Sequence, residues 1–230
     1  LGVTALITNV AIQKTTFKYE IPYMLLITAV LLVMGMTGNE ITFIEGVILW
    51  ILFIAYLLYL YFLAKKGNDS GDEQSVKLYP VWKCLLFIVL GGVCVVIGSQ
   101  LVVNGATTIA RACGMSERFI GLTIVAFGTS LPELVTSVSA ARKGNAGIAI
   151  GNIVGSNIFN ILFVIGTVAL ICPVPFESRF VIDTVVAILC GVLLWGGTIR
   201  HKELRKPCGV VMLLCYAAVS YTHLRAQRHA

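Results

Sequence analysis

Residues 119–163 read FIGLTIVAFGTSLPELVTSVSAARKGNAGIAIGNIVGSNIFNILF, and they set polar and ionisable groups inside two segments that are otherwise apolar enough to cross a bilayer. Between Gly121 and Ala141 the only charged residue is Glu133, beyond the midpoint and far from either end. An ionised side chain at the centre of a membrane helix costs about 2.5–3.5 kcal/mol on insertion scales, so it needs a partner or a water-filled site. Glu133 is therefore the first candidate functional residue.

Its surroundings indicate what kind of partner. Thr129 and Ser130 precede Glu133 by one helical turn, and Thr136 and Ser137 follow it by one turn, so hydroxyls flank the carboxylate on one face. Pro132 lacks a backbone N–H, which frees the carbonyl of Gly128 and kinks or opens the helix just before the carboxylate. Freed carbonyls at membrane depth are tolerated only where they face protein or a cavity. In the second segment Asn152, Ser156 and Asn160 recur at every fourth position and add amide and hydroxyl oxygens on one face. Carboxylate, carbonyl, hydroxyl and amide oxygens are the ligands of hard cations such as Na+ and Ca2+. Broken helices carrying such groups near the bilayer midplane are how secondary transporters build ion sites. The competing reading is that Ser, Thr and Asn glue helices together, with Gly147, Gly151 and Gly155 as a small-xxx-small packing face. That suits the glycines. It does not suit Glu133, because packing requires no ionisable group beside a proline.

GLTIVAFGTSLPEL followed by GNIVGSNIFNIL resembles the second alpha repeat of the cation/Ca2+ exchanger superfamily, on its bacterial sodium/calcium exchanger-like branch. The resemblance implies that the Thr, Ser and Glu of GTSLPEL, the backbone of the preceding Ala and polar side chains of the GSN helix coordinate ions. In this chain these are Thr129, Ser130, Glu133, Ala126, Ser156 and Asn160. Exchangers of known type can carry Asp where this sequence has Asn160; the amide still offers an oxygen, but the site charge falls by one. No cofactor is implied, because the transported ions themselves bind the site.

Composition agrees with a membrane chain. At 58% hydrophobic, 12% charged and a mean hydropathy of +0.92, the chain is too apolar and too poor in charge to form a water-soluble domain. Apolar runs of roughly 20 residues, the length a bilayer requires, recur throughout. The net charge of +6 falls mainly in short loops, which speaks for topology rather than for a nucleic-acid partner. The seven cysteines show no CxxC spacing and lie in or beside apolar segments, as small packing residues do. No signal peptide is visible at the start.

Spans are expected near 21–37, 43–64, 81–110, 118–141, 147–171, 179–199 and 208–221, after the end of another at 1–8. Lys14, Lys18 and Glu20 are assigned to a loop, and Gly38, Asn39 and Glu40 to a short turn. The polar stretch at 65–80 reads as a solvated linker. Gln100, Asn104, Thr107 and Thr108 suit pathway lining and helix packing equally. The chain also repeats itself: LGVTALI (1–7) parallels IGTVALI (165–171), and EGVILWILFIAY (45–56) resembles CGVVMLLCYAAV (208–219). Counting crossings puts 12 of the 17 Lys and Arg on one face, including Lys65, Lys66, Arg142, Lys143, Arg200 and Lys202. By the positive-inside rule that face is cytoplasmic, and the two repeats point in opposite directions.

The expected protein is thus an all-α membrane protein, an inverted-repeat exchanger helix bundle. Residues 1–64 are read as the end of a first exchanger repeat, 65–80 as a cytoplasmic linker, 81–221 as a second repeat and 222–230 as a tail foreign to the natural protein. The resemblance implies ten helices in the complete protein, of which this chain would hold seven and the tail of an eighth. The chain so reads as N-terminally truncated, needing first-repeat helices in cis, and with them a second acidic motif. The activity implied is secondary antiport of Na+ for Ca2+ in the inner (plasma) membrane by alternating access, with loops 65–80, 142–146 and 200–206 cytoplasmic. H+-coupled exchange of Ca2+ or another divalent cation is the alternative; a non-transporting scaffold or an inactive fragment is a weaker one. No reaction chemistry is implied, so the protein is not read as an enzyme.

Overall fold

A computed structural model describes residues 1–67, 79–199 and 203–226. Most of the linker expected at 65–80, part of the loop at 200–206 and the end of the tail lie outside these residues. The chain is built almost wholly of helices. Among the described residues five helices are long and apolar enough to cross a membrane, at Thr16–Gly38, Phe43–Lys66, Val81–Ala112, Gly147–Ile171 and Phe180–Thr198, which makes this a multi-pass membrane protein. Many of their large apolar side chains are exposed, Trp82, Ile88 and Leu101 among them, as lipid-facing residues are.

The chain separates into two compact units, and each gathers pieces from both sequence repeats. The first unit comprises Leu1–Asn9, Ser75–Ala149 and Arg205–Ala230. It contains α1 (Gly2–Ile7), the long α4 (Val81–Ala112) and α11 (Lys206–Ala226). It also holds a broken helix made of α5 (Glu117–Ile120), a π-helical turn (Gly121–Val125), α6 (Ala126–Thr129) and α7 (Leu131–Arg142). At 32 residues α4 is about 48 Å long, more than the bilayer core requires, so it crosses at a tilt.

The second unit comprises Val10–Gln74 and Ile150–Leu204. Here α2 (Ile21–Gly38) packs on α10 (Ser178–Thr198), and α3 (Phe43–Gly67) packs on α9 (Gly166–Ile171) and the π-helical turn before it (Asn160–Ile165). Aromatic side chains fill the second contact: Phe53, Phe159 and Phe163 stack or tilt against one another at ring distances of 4.6 to 5.9 Å. The Trp50 indole N–H reaches Thr167 Oγ1 at 3.2 Å. The turn expected at Gly38, Asn39 and Glu40 is present, with Asn39 left-handed at φ 54°. The Thr42 N–H and hydroxyl both donate to Glu45 Oε2, at 2.7 and 2.9 Å, and so cap α3.

Two features go beyond the all-helical expectation. Residues β1 (Val10–Ala11) pair antiparallel with β4 (Glu203–Leu204), and β2 (Glu40–Ile41) with β3 (Val174–Pro175). Each ribbon joins a segment that follows one copy of the ALI-ending helix to a segment that precedes the last helix of the other repeat. The same exchange governs the helices. In the first unit α1 crosses α11 at Gly2 and Gly209, where a Cβ on Gly209 would lie 2.9 Å from the Gly2 carbonyl. In the second unit α9 crosses α3 at Gly166 and Gly46, where a Cβ on Gly46 would lie 3.0 Å from the Gly166 carbonyl. These are the positions that the sequence repeat aligns. Glycine lets the two backbones touch, and small-residue crossings are the principal source of helix association in lipid.

One assignment is corrected. Glu20 is not a loop residue in water: it is only 9% exposed, closing a π-helical turn (Thr16–Glu20) that runs straight into α2. Pro22, at the second position of α2, has no N–H to give to the carbonyls of the turn before it.

Candidate functional site

The helix around Glu133 is interrupted, and the sequence accounts for the interruption. Ser130 sits between α6 and α7 with φ −95° and ψ 2°, in the sparsely allowed bridge region. Its N–H reaches back three residues to Phe127 O at 3.1 Å. Pro132, two residues on, has no N–H to give to Gly128 O. The carbonyl of Gly128 therefore loses its usual helical donor on one side of the break. On the other side α7 begins, and Glu133 lies in its first turn, partly buried, where the helix dipole favours a negative charge by about 0.3–1 kcal/mol. Carbonyl oxygens and a carboxylate at one break are what a cation site on a half-helix requires.

Ala126, Thr129, Ser130 and Glu133 are thus gathered by the first unit on a single broken helix, with Thr129 and Ser130 exposed. Gly128 explains how this helix is seated. A Cβ there would overlap the Val103 side chain of α4, so the glycine is what lets α6 lie against α4. The sequence reading did not anticipate this role, although a glycine in the middle of an apolar span was visible.

The two hydroxyls expected to flank Glu133 on its far side turn inward to backbone. Thr136 Oγ1 donates to Pro132 O at 2.8 Å and Glu133 O at 3.1 Å, while the fully buried Ser137 donates to Ala149 O at 3.3 Å. Both serve packing. Ser137 ties α7 to α8 (Ala146–Phe159) across a tight turn in which Gly144 takes φ 81°, a conformation open to glycine at little strain.

Ser156 and Asn160 belong to the second unit, on α8 and the π-helical turn that continues it. Ser156 is half-buried and donates to Ile153 O at 3.0 Å, which leaves its oxygen lone pairs available. Asn160 is exposed and opens the π-helical turn, a distortion common at functional sites. The packing face expected of Gly151 and Gly155 is not seen: among the described residues nothing lies within 4 Å of where a Cβ on either would be.

Helices with lipid-exposed faces and a break beside a carboxylate make this a multi-pass membrane protein with a candidate ion site. Comparison with known proteins narrows that class. Residues 83–224 match the sodium/calcium exchanger protein family. The chain is 32% identical to the inner membrane protein YrbG of Escherichia coli, over 92% of this chain and 68% of that protein. It is 49% identical to the sodium/calcium exchanger MaX1 of Methanosarcina acetivorans over 40% of this chain and 26% of that one. The solved structure of the sodium-calcium exchanger NCX_Mj superposes with a TM-score of 0.77 at 31% identity, covering 96% of this chain and 70% of that chain. The chain belongs to the sodium/calcium exchanger protein family and has the exchanger helix-bundle fold. Its family is one of cation antiporters, not enzymes.

Proposed function

We propose that the protein is a secondary active antiporter that exchanges Na+ for Ca2+ by alternating access. The observation that carries this reading is the broken helix at Ser130, with the Glu133 carboxylate in the first turn after the break and the Gly128 carbonyl left without its helical donor before it. Glu133 supplies the charge, and Thr129, Ser130, Ser156 and Asn160 supply neutral oxygens to the ion shell. A counterpart acidic motif from the first repeat, in cis, would complete it. With one carboxylate from this chain the site cannot hold Ca2+ and a full set of Na+ together, so the ions compete and the downhill ion drives the other. Asn160 in place of an acid would lower the site charge by one and weaken the divalent ion more than the monovalent one. The resemblance between the repeats and the excess of Lys and Arg in alternate loops support inverted repeats in the inner (plasma) membrane, with loops 65–80, 142–146 and 200–206 cytoplasmic. Residues 1–64, 65–80 and 81–221 are then the end of one repeat, a linker and a second repeat.

Membrane vesicles loaded with Na+ test the exchange. Dilution into Ca2+ medium should drive Ca2+ uptake, and Glu133→Gln should abolish it at equal protein level. Uptake unchanged by Glu133→Gln would remove the carboxylate from the mechanism. Replacing Na+ by choline distinguishes the coupling ion: uptake that persists and follows an imposed pH gradient means that H+ is exchanged instead.

A further inference from the structure

Three contacts within the second unit fix how the helical segment that carries Asn160 lies against α3. At one end Gly46 and Gly166 bring the two backbones together. One turn further along α3 the Trp50 indole N–H meets Thr167 Oγ1 at 3.2 Å, and the Trp50 ring lies 5.2 Å from that of Phe163. At the other end Phe53 meets Phe159 edge to face at 5.9 Å and Phe163 at 5.4 Å, while Phe159 and Phe163 stack on each other at 4.6 Å. Positions 46, 50 and 53 recur at helical spacing and so form one stripe of α3. Phe53 is only 8% exposed, whereas Ile51, Ile54, Leu57 and Leu58 on the same helix are exposed. Beside this residue α3 is itself tied down, because the Tyr23 hydroxyl of α2 donates to Leu52 O at 2.9 Å.

Asn160 follows Phe159 directly and stands inside the interval that the two stacked rings mark out. Successive helical residues are turned by about a quarter of a circle, so a segment keyed to α3 at Phe159 and Phe163 holds Asn160 off that contact, on an adjacent face. There Asn160 is exposed, at the first position of the π-helical turn. Aromatic rings prefer edge-to-face or offset-stacked arrangements, which restrains rotation as well as distance. Groups that do not touch a bound ion commonly orient those that do, and losing one typically costs about 10–100-fold in affinity. We infer that Phe53 is a positioning residue for ion binding: by keying Phe159 and Phe163 to α3, it directs the Asn160 side-chain oxygen toward the ion shell. This rests on the reading of Asn160 as an ion ligand, and Phe53 itself touches no ion.

Ca2+ uptake by Na+-loaded vesicles, followed over a range of Ca2+ and of Na+ concentrations, gives a KM for each ion. Asn160→Ala identifies which KM reports on that ligand. Phe53→Ala should raise the same KM about 10-fold without lowering the maximal rate per folded protein. Phe53→Leu keeps apolar bulk but not the ring, and should shift that KM in the same direction; it is the variant to read where Phe53→Ala does not accumulate. The double variant Phe53→Ala with Asn160→Ala should be no weaker than Asn160→Ala alone, because a missing ligand cannot be misdirected. KM increases that multiply in the double variant would overturn the proposal and leave Asn160 a ligand. So would a lower maximal rate with both KM values intact, which is what a purely structural role for Phe53 predicts. If Asn160→Ala changed neither KM, the ligand reading itself would fail, and the positioning role with it.

Discussion

Gly128 and Val103 show how closely single residues are set around the helix break. No space remains for a Cβ at Gly128, so Gly128→Ala should destabilise the protein by about 1–3 kcal/mol, the usual cost of overpacking. Adding Val103→Ala should restore most of the loss, which a thermal unfolding series in detergent can measure as a double-mutant cycle. Two independent, additive losses would mean that the helices are not in contact there. Ser137→Ala should cost about 0.5–1.5 kcal/mol by removing the buried hydrogen bond to Ala149, with no specific effect on ion affinity. Glu133 and Pro132 were legible without a structure because a charge in an apolar span and a missing N–H are local properties. Which backbone carbonyl each hydroxyl bonds was not. Thr136 donates within its own helix, whereas Ser137 reaches across to Ala149 on the next one.

At the scale of elements, the boundaries of the spans followed the hydropathy closely, and the departures from regular helix did not. The three π-helical turns begin at Thr16, Gly121 and Asn160, and no glycine or proline pattern common to the three announces them. The break at Ser130 is different, because Pro132 dictates it. Pro132→Ala restores a donor for Gly128 O and removes a residue that costs about 3 kcal/mol inside a helix, so α6 and α7 should join. The expected result is a raised unfolding midpoint together with reduced exchange. If exchange persisted at the normal rate while helix content rose, the break would not be part of the ion site.

The whole molecule is organised by an exchange of partners. The helix that ends each ALI copy packs on the last helix of the opposite repeat, at a pair of facing glycines, and the two short ribbons follow the same rule. Gly46→Leu and Gly209→Leu should therefore have similar effects, each forcing two backbones apart and lowering the yield of folded protein. The ribbon gives a covalent test of this exchange. Val10 and Leu204 are directly opposed in an antiparallel pair, where Cα atoms lie about 4.5–5.5 Å apart, within disulfide range. In a background lacking the seven native cysteines, Val10→Cys with Leu204→Cys should form an intrachain bond on mild oxidation. Failure to do so in correctly inserted protein would contradict the pairing.

The sequence by itself determined that this is a multi-pass membrane protein and that it repeats internally, and it singled out Glu133 as the candidate ion ligand. Each of these depends on the number, kind and order of side chains along a chain that must satisfy its backbone within lipid. Only the tertiary structure decided that Glu20 is buried, that Gly128 seats the broken helix on α4, and that the glycines of one repeat meet those of the other. Those facts depend on which backbones approach within a few ångströms of each other, and a small residue looks the same in the sequence whether its neighbour is a helix or a lipid.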